Sequence, residues 1–195
     1  GFTLVELLVV IFVLSIAGLS ILYIFTNSLR GSNKAQILSS IKKNGQAVLE
    51  PIDKEVRSSD NVICPPLSSS SAASSTGLVI EKEGKYTRFR FVAATSTING
   101  TITKDNPTRG ISESIGSFIN RVCNTQDPQS SPLTLSDTNV QTGVSIQNGL
   151  FIRNKSSGFK DTVTIKFQVT YPVGVFPALV GQIDPVDFAT TVQLR

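Results

Sequence analysis

The chain has 195 residues, of which 40% are hydrophobic and 16% are charged, and 18 Lys and Arg stand against 14 Asp and Glu, for a formal charge of +4. The charges are spread out, so they favour neither nucleic acid nor an anionic membrane as a partner. The sequence has no His and two Cys, which excludes His-based catalysis and a four-Cys zinc site. It also lacks the glycine-rich phosphate-binding and nucleophile-elbow motifs. We therefore expect no catalytic residues, no metal and no cofactor, and the chain is not predicted to be an enzyme.

The most apolar segment runs from Leu7 to Phe25 without a charge. At about 1.5 Å per residue its length is close to the ~30 Å hydrocarbon core of a bilayer, where only a helix satisfies its own backbone polar groups. The apolar core of a cleaved signal sequence is shorter, whereas hydropathy alone leaves a plain signal anchor open. Residues 1–30 are thus predicted to contain a transmembrane helix.

Glu6 places a carboxylate at the start of this apolar run. An ionisable group beside hydrocarbon is unfavourable unless it is paired. A free amine at Phe2, one helical turn away, is a suitable partner in the same chain or in a neighbouring one. A carboxylate in the first turn also complements the helix dipole. We interpret Glu6 as a residue that serves assembly.

The heptapeptide Gly1–Leu7, GFTLVEL, resembles the N-terminus of type IV pilins and type II secretion pseudopilins. The resemblance implies that a prepilin peptidase cuts between Gly1 and Phe2 and that Phe2 becomes N-methylphenylalanine. It also implies that Glu6 pairs with the N-terminus of a neighbouring subunit. The sequence contains no Met, even at position 1, so we expect further residues upstream of Gly1 in the translated protein.

The segment 31–59 is predicted to continue the helix in amphipathic form. Gly31–Asn33 is a candidate weak point because glycine lowers helix propensity. Pro51 is expected to bend the helix without ending it before Ser58-Ser59. The apolar stripe needs a partner, and a β-sheet packed across it would provide one. Its members recur at three- and four-residue steps: Leu38, Ile41, Gly45, Val48, Leu49, Ile52 and Val56.

Residues 60–195 are predicted to form a β-rich globular head, because short alternating runs are separated by turn residues. The fold class is therefore α+β, with a long N-terminal helix against an antiparallel sheet. In the run that contains Phe89 and Phe91, Arg88 and Arg90 face the other way. The predicted strands are Leu78–Glu81, Tyr86–Ala93, Thr97-Ile98 and Thr101-Ile102 around an Asn99-Gly100 hairpin turn, Ser117–Cys123, Gly149–Arg153, Val163–Tyr171 and Phe188–Leu194.

Three segments of the head are predicted to be loops. Residues 65–75, rich in Pro and Ser, form a low-complexity connector, and residues 124–132 form a second loop. The third, 172–185, is too apolar for a bare linker. Two interpretations of it remain open, a buried loop and a contact patch for a neighbouring subunit.

Cys64 and Cys123 are the only cysteines, and the anchor is expected to place the head outside the cytoplasm. A disulfide is favoured in that compartment, and two buried thiols are the alternative. A bridge between these positions would contribute about 4 kcal/mol in the chain-entropy model.

Two further segments narrow the resemblance. Residues 47–57 and 188–195 are similar to the distal helix and the last strand of larger minor subunits, the J-type pseudopilins and W-type minor pilins. The function implied is that of a minor subunit of a type IV pilus or a type II secretion pseudopilus. A major pilin is one alternative. The other is a filament-tip subunit for adhesion or DNA uptake.

The implied partners are other pilin or pseudopilin subunits, the prepilin peptidase, an inner-membrane assembly platform and the lipid bilayer. The implied location is the inner (cytoplasmic) membrane in a single pass, with the head on the extracytoplasmic side, and the filament after assembly. Nucleic acid is not an expected partner, because aromatic residues for base stacking are not interleaved with the cations. Those cations, which could form a basic surface, are Arg88, Arg90, Lys166, Lys42 and Lys43.

Overall fold

The computed structural model describes residues 1, 3–67, 72–124, 126–174 and 183–195. One long N-terminal helix is followed by two antiparallel sheets and a short second helix, an α+β architecture. The predicted class is confirmed, and so is the order of a helix followed by a β-rich head. The sequence analysis expected one sheet, whereas the strands divide between two.

Helix α1 spans Leu4–Arg57, 54 residues in all. It passes through Pro51, as predicted, and its C-cap is Ser58. Proline removes one backbone hydrogen bond from a helix. Val48 and Ile52, which flank Pro51, are 0% exposed, so tertiary packing holds the helix on both sides of the missing bond. The candidate weak point at residues 31–33 is helical as well.

The described residues contain nine strands: β1 Asn61–Cys64, β2 Ala72–Ser75, β3 Gly77–Lys82, β4 Lys85–Val92, β5 Thr101–Asp105, β6 Leu133–Thr134, β7 Ser145–Asn154, β8 Thr162–Thr170 and β9 Val186–Gln193. They form a five-stranded sheet in the order β1-β3-β4-β5-β6 and a four-stranded sheet in the order β2-β7-β8-β9, with all neighbours antiparallel. The strands predicted within β3, β4, β7, β8 and β9 are confirmed, with ends shifted by a few residues.

The second half of α1 packs on β8 and β9 and forms one wall of the core. At Gly45 the ring of Phe188 lies so close that an added Cβ would approach it to 2.1 Å. That ring in turn stacks on Phe167 at 5.3 Å between centroids. Glycine here lets the helix and the strand meet closely. The buried residues of the helix lie on one stripe: Ile41, Gly45, Val48, Ile52 and Val56.

The strand predicted over residues 117–123 is wrong, because this segment is helix α2, Ile115–Cys123. Ser114 is its N-cap and accepts a hydrogen bond from the backbone N–H of Ser117 at 3.2 Å. Phe118 and Val122, four residues apart, are both buried on one helix face. Their spacing follows the helical period rather than the period of two that a strand requires.

The hairpin predicted at Asn99-Gly100 is also wrong. The turn closes earlier, where the N–H of Thr95 donates to the carbonyl of Ile98 at 2.9 Å, and Asn99 is 1% exposed. Its side-chain amide donates to the carbonyl of Asn139 at 2.9 Å and accepts from the N–H of Val173 at 2.8 Å. Asn99 therefore ties distant loops together instead of turning a hairpin.

The Pro- and Ser-rich connector predicted over residues 65–75 is corrected at its end, where residues 72–75 form β2 and pair with the end of β7. Small residues carry little intrinsic strand preference, so this strand depends on its partner. Residues 68–71 lie outside the described residues. Most of the apolar loop predicted over 172–185 lies outside them too, and its two interpretations remain predictions.

Candidate functional site

The first half of α1 is an apolar rod that the rest of the chain does not cover. From Leu4 to Leu29 its large apolar side chains are 48–77% exposed. The helix is long and apolar enough to cross a membrane by length and composition. A contiguous apolar surface of this extent marks a region that lipid or other protein covers. The apolar helix predicted over this segment is therefore present, with the length and composition that a membrane span requires.

Three hydroxyl side chains within the rod form hydrogen bonds with the helix itself. The hydroxyls of Ser15, Ser20 and Thr26 donate to carbonyls one turn earlier, at 2.8, 2.9 and 3.0 Å. Local bonds of this kind leave no unpaired hydroxyl proton for lipid to solvate. Apart from the adjacent residues and backbone of its own helix, no described part of the chain lies within 4 Å of a Cβ added at Gly18. The helix surface at Gly18 is therefore open to a neighbouring helix or to lipid.

Glu6 takes part in a capping box with Thr3 at the start of this rod. Its backbone N–H donates to the Thr3 hydroxyl at 3.3 Å, and the Thr3 N–H and hydroxyl donate to Glu6 Oε2 at 3.1 and 3.2 Å. Both returning bonds end on Oε2, so Oε1 has no partner among the described residues. Gly1 is exposed, whereas Phe2, the predicted partner and methylation site, lies outside the described residues. The structure thus adds a local role for Glu6 and leaves one carboxylate oxygen available.

The disulfide expected between Cys64 and Cys123 is present, with a Cα–Cα distance of 5.5 Å. It joins the end of β1 to the end of α2 and lies in a small apolar cluster with Val79, Phe118 and Val122. A bridge between residues 59 apart stabilises a fold by about 4 kcal/mol in the chain-entropy model. The disulfide fixes α2 on the sheet face that looks away from the main core.

The basic surface predicted to include Arg88 and Arg90 is wrong at these two positions, which are only 1% and 9% exposed. Arg88 donates to both carboxylate oxygens of Asp105 at 2.9 and 2.7 Å and to Asp127 at 2.5 Å. Arg90 donates to the carbonyl of Asp127 at 2.6 Å and to that of Asn124 at 3.0 Å. The arginines hold the segment that follows α2 against β4.

The charges of this cluster change one another's proton affinity. Burial alone would raise the pKa of Asp105, but hydrogen bonds from Arg88 and Gln129 outweigh it and lower that pKa below its ordinary value. Burial and the neighbouring Arg88 lower the pKa of Arg90. Buried ion pairs of this kind are costly to break, because removal of one partner leaves a buried charge. The cluster therefore has a structural role, and we assign it no catalytic one.

Within the part of the chain that the structure describes, no group of three or more His, Cys, Asp or Glu side chains could hold a metal ion. Lys42, Lys43 and Lys166, the other cations of the predicted basic surface, are exposed. Sequence reasoning missed the buried Arg88–Asp105 pair. The two residues are 17 positions apart in the sequence. That separation alone does not indicate that they lie opposite each other in neighbouring strands.

Comparison of the chain with protein-family models, with curated proteins and with solved structures gave no match. The likeness of residues 1–7 to pilins and pseudopilins therefore remains a resemblance of sequence. Two structural facts stand beside this resemblance: half of α1 is apolar and exposed, and the β-rich head contains a disulfide.

Proposed function

We propose that the protein is a structural subunit that assembles through its N-terminal helix into a type IV pilin-like filament, a type IV pilus or a type II secretion pseudopilus. The observation that carries the proposal is the division of α1. One unbroken helix leaves its apolar half uncovered between Leu4 and Leu29 and buries the stripe from Ile41 to Val56 in the head. A rod fixed to a head in this way can exchange lipid for neighbouring rods without refolding.

The mechanism has a storage stage and an assembly stage. The apolar half holds the subunit in the inner membrane in a single pass, with the head on the extracytoplasmic side. A prepilin peptidase cuts between Gly1 and Phe2 and methylates the new amine. An inner-membrane platform then extracts the subunit, and the rods bundle so that protein replaces lipid around them. Glu6 pairs with the amine of Phe2 of a neighbouring subunit, and its free Oε1 is oriented by the bonds on Oε2.

Within this class we propose a minor subunit, on the resemblance of residues 47–57 and 188–195 to larger minor subunits. Residues 47–57 belong to the second half of α1 and residues 188–193 belong to β9. These two elements are in contact in the structure. Quantitative mass spectrometry of sheared filaments tests the assignment. Trace amounts relative to the shaft protein are expected, and a share comparable with the shaft protein would make this chain a major pilin instead.

Three variants test the pairing, because Glu6 also caps its own helix. Glu6→Gln keeps a side chain that can complete a capping box but removes the charge. Thr3→Ala removes the capping hydroxyl and keeps the carboxylate. Glu6→Val removes the charge and the carboxylate half of the capping box, and it keeps the bond from the backbone N–H of residue 6 to the Thr3 hydroxyl.

Membrane insertion, measured by alkaline extraction, should be normal for all three variants. Incorporation into filaments should fall at least about tenfold for Glu6→Gln and Glu6→Val, because an unpaired amine then meets an apolar bundle, and should persist for Thr3→Ala. Normal incorporation of Glu6→Gln would refute the charge pairing. Loss in Thr3→Ala alone would mean that the helix cap, rather than the charge, controls assembly.

A further inference from the structure

A groove at the far end of the head carries positive charge and no negative charge. It has a volume of about 740 Å³ and lies between the β3–β4 turn and the chain that leaves β5. We call it the distal groove. Among the described residues its walls contain two cations, Lys85 and Arg109, and no carboxylate. The lining residues are Gly84, Lys85, Tyr86, Thr87, Asn106, Pro107, Thr108 and Arg109.

The two cations are available to a ligand. Both side chains are exposed, and neither forms a hydrogen bond or an ion pair with another described residue. The carboxylate that Arg109 influences is Glu113, which already accepts hydrogen bonds from Arg121 at 2.9 and 3.0 Å. A second cavity, of about 360 Å³, adjoins the groove through Lys85 and Thr87, and its lining has mixed charge, with Lys82, Lys104, Glu55 and Glu83.

The position of the groove excludes the anchoring bilayer as its occupant. Lys104, at the end of β5, forms an ion pair with Glu55, which lies two residues before the end of α1. The groove continues from this end of β5. A rise of 1.5 Å per residue places Glu55 on the order of 40 Å beyond the uncovered half of the helix. Several Debye lengths of salt solution therefore separate the groove from lipid headgroups.

The side chains around the groove favour a protein segment over a nucleic acid. Single-stranded nucleic acid needs exposed aromatic faces for base stacking, and Tyr86 is the only aromatic residue among the described residues of the lining. Its ring packs against the ring of Phe118 in a tilted arrangement, with 4.6 Å between centroids, and is therefore not a free stacking platform. Two residues beyond Arg109, Ile111 is fully exposed and offers an apolar contact that a peptide side chain can use.

We infer that the distal groove binds an extended acidic segment of a partner protein, in which carboxylates contact Lys85 and Arg109 and an apolar side chain contacts Ile111. Another copy of this chain is a poor fit, because its acidic residues are not clustered into a run and its formal charge is +4. Charge complementarity across such a surface mainly sets the association rate and the choice of partner. This inference goes beyond filament assembly and does not depend on Glu6.

The test uses the full chain in neutral detergent micelles and fluorescence anisotropy. The probe is a fluorescein-labelled peptide of repeated Glu-Glu-Leu units, and the reference peptides carry Gln in place of Glu. The double variant Lys85→Gln, Arg109→Gln removes the groove cations. The matched control Lys155→Gln, Lys160→Gln removes two exposed cations from the β7–β8 hairpin. Labelled oligothymidine serves as the nucleic-acid probe.

We expect the acidic peptide to bind the wild type and the control variant equally, and the groove variant about tenfold more weakly. Raised salt should weaken the wild-type binding. Equal weakening in both variants would mean bulk charge attraction and would overturn the proposal. Equal affinity for the Gln peptide, tighter binding of oligothymidine, or no binding at all would overturn it as well. None of these outcomes bears on filament assembly, because micelles hold the subunit before assembly.

Discussion

The two halves of α1 share one backbone and differ in what surrounds them. Between Leu4 and Leu29 the large apolar side chains are exposed, whereas Ile41 and Val56 are 1% and 0% exposed. Both halves belong to the same α-helix, Leu4–Arg57. The first half is apolar on every side, and the second is apolar on one stripe only, a pattern typical of a helix packed against a core.

The difference shows that the two halves of one helix can be stabilised by separate sets of interactions. The second half is held by the head, with Glu55 paired to Lys104 and Val48 and Ile52 in the core. The first half is held by whatever covers it, lipid or other helices. A change in one half should therefore alter head unfolding, and a change in the other should alter membrane insertion or assembly, with little crossover.

The largest separation should follow the loss of the disulfide. Replacement of Cys64 and Cys123 by Ser should lower the free energy of unfolding of the head by about 4 kcal/mol, measured by urea titration of the full chain in micelles with circular dichroism. Membrane insertion should be unchanged, because neither residue touches the uncovered half of α1. Failure of the variant to insert would show that the two halves are coupled.

A matched pair of truncations sharpens the comparison. Ile52→Ala should destabilise the head by about 3 kcal/mol, because it leaves a cavity at a residue that is 0% exposed. Ile16→Ala should leave the same unfolding curve unchanged, because Ile16 is 51% exposed. Equal effects of the two variants in the urea titration would contradict the division of the helix.

Two glycines offer a second matched pair with a smaller expected effect. Gly45→Ala should destabilise the head by about 1–3 kcal/mol, because its Cβ would overlap the ring of Phe188. Gly18→Ala, where no atom lies within 4 Å, should not lower head stability. If Gly45→Ala unfolds at the wild-type urea concentration, the close contact between α1 and β9 does not exist in solution.

The sequence predicted elements whose pattern follows the local period. The strand from Val163 to Tyr171 alternates strictly, and the stripe of α1 repeats at helical steps, so both were found. Helix α2 was missed because its β-branched and aromatic residues have strand preference, while Phe118 and Val122 have helical spacing. The signal that could have found it was Ser114, an N-cap residue four positions before Phe118.

Long-range contacts set the parts that the sequence could not predict. Asn99-Gly100 has the composition of a hairpin turn, but Asn99 bonds to the carbonyl of residue 139 and the N–H of residue 173. The alternation of Arg88 with Phe89 was read correctly. The cover over Arg88 by the segment that follows α2 was not visible in the sequence, so two members of a buried ion-pair cluster were counted among the cations of a basic surface. Of the candidate assembly site, Glu6 and the rod were predicted and the capping box was not.

The smallest expected effect is the dependence of head stability on pH, and it arises outside the rod. The pKa of Asp105 is lowered in the folded head, so the unfolded chain takes up the proton first as the pH falls. The pKa of Glu113 is lowered to about 2 by its hydrogen bonds with Arg121, with the same sign. Their contributions are present above the ordinary carboxylate pKa near 4. They are lost as the pH falls through the lowered values.

Added salt should distinguish the contribution of Asp105 to the pH dependence from that of Glu113. Arg121 and Glu113 are 40% and 19% exposed, so salt screens their pair, whereas Arg88 and Asp105 are 2% and 0% exposed. Thermal unfolding of the full chain in micelles should show a constant midpoint between about pH 7 and 5 and a decline below about pH 4. Most of the decline should persist in about 0.5 M NaCl and in Glu113→Gln. A decline that disappears in salt would place the acid sensitivity at exposed pairs rather than at the buried Arg88–Asp105 pair.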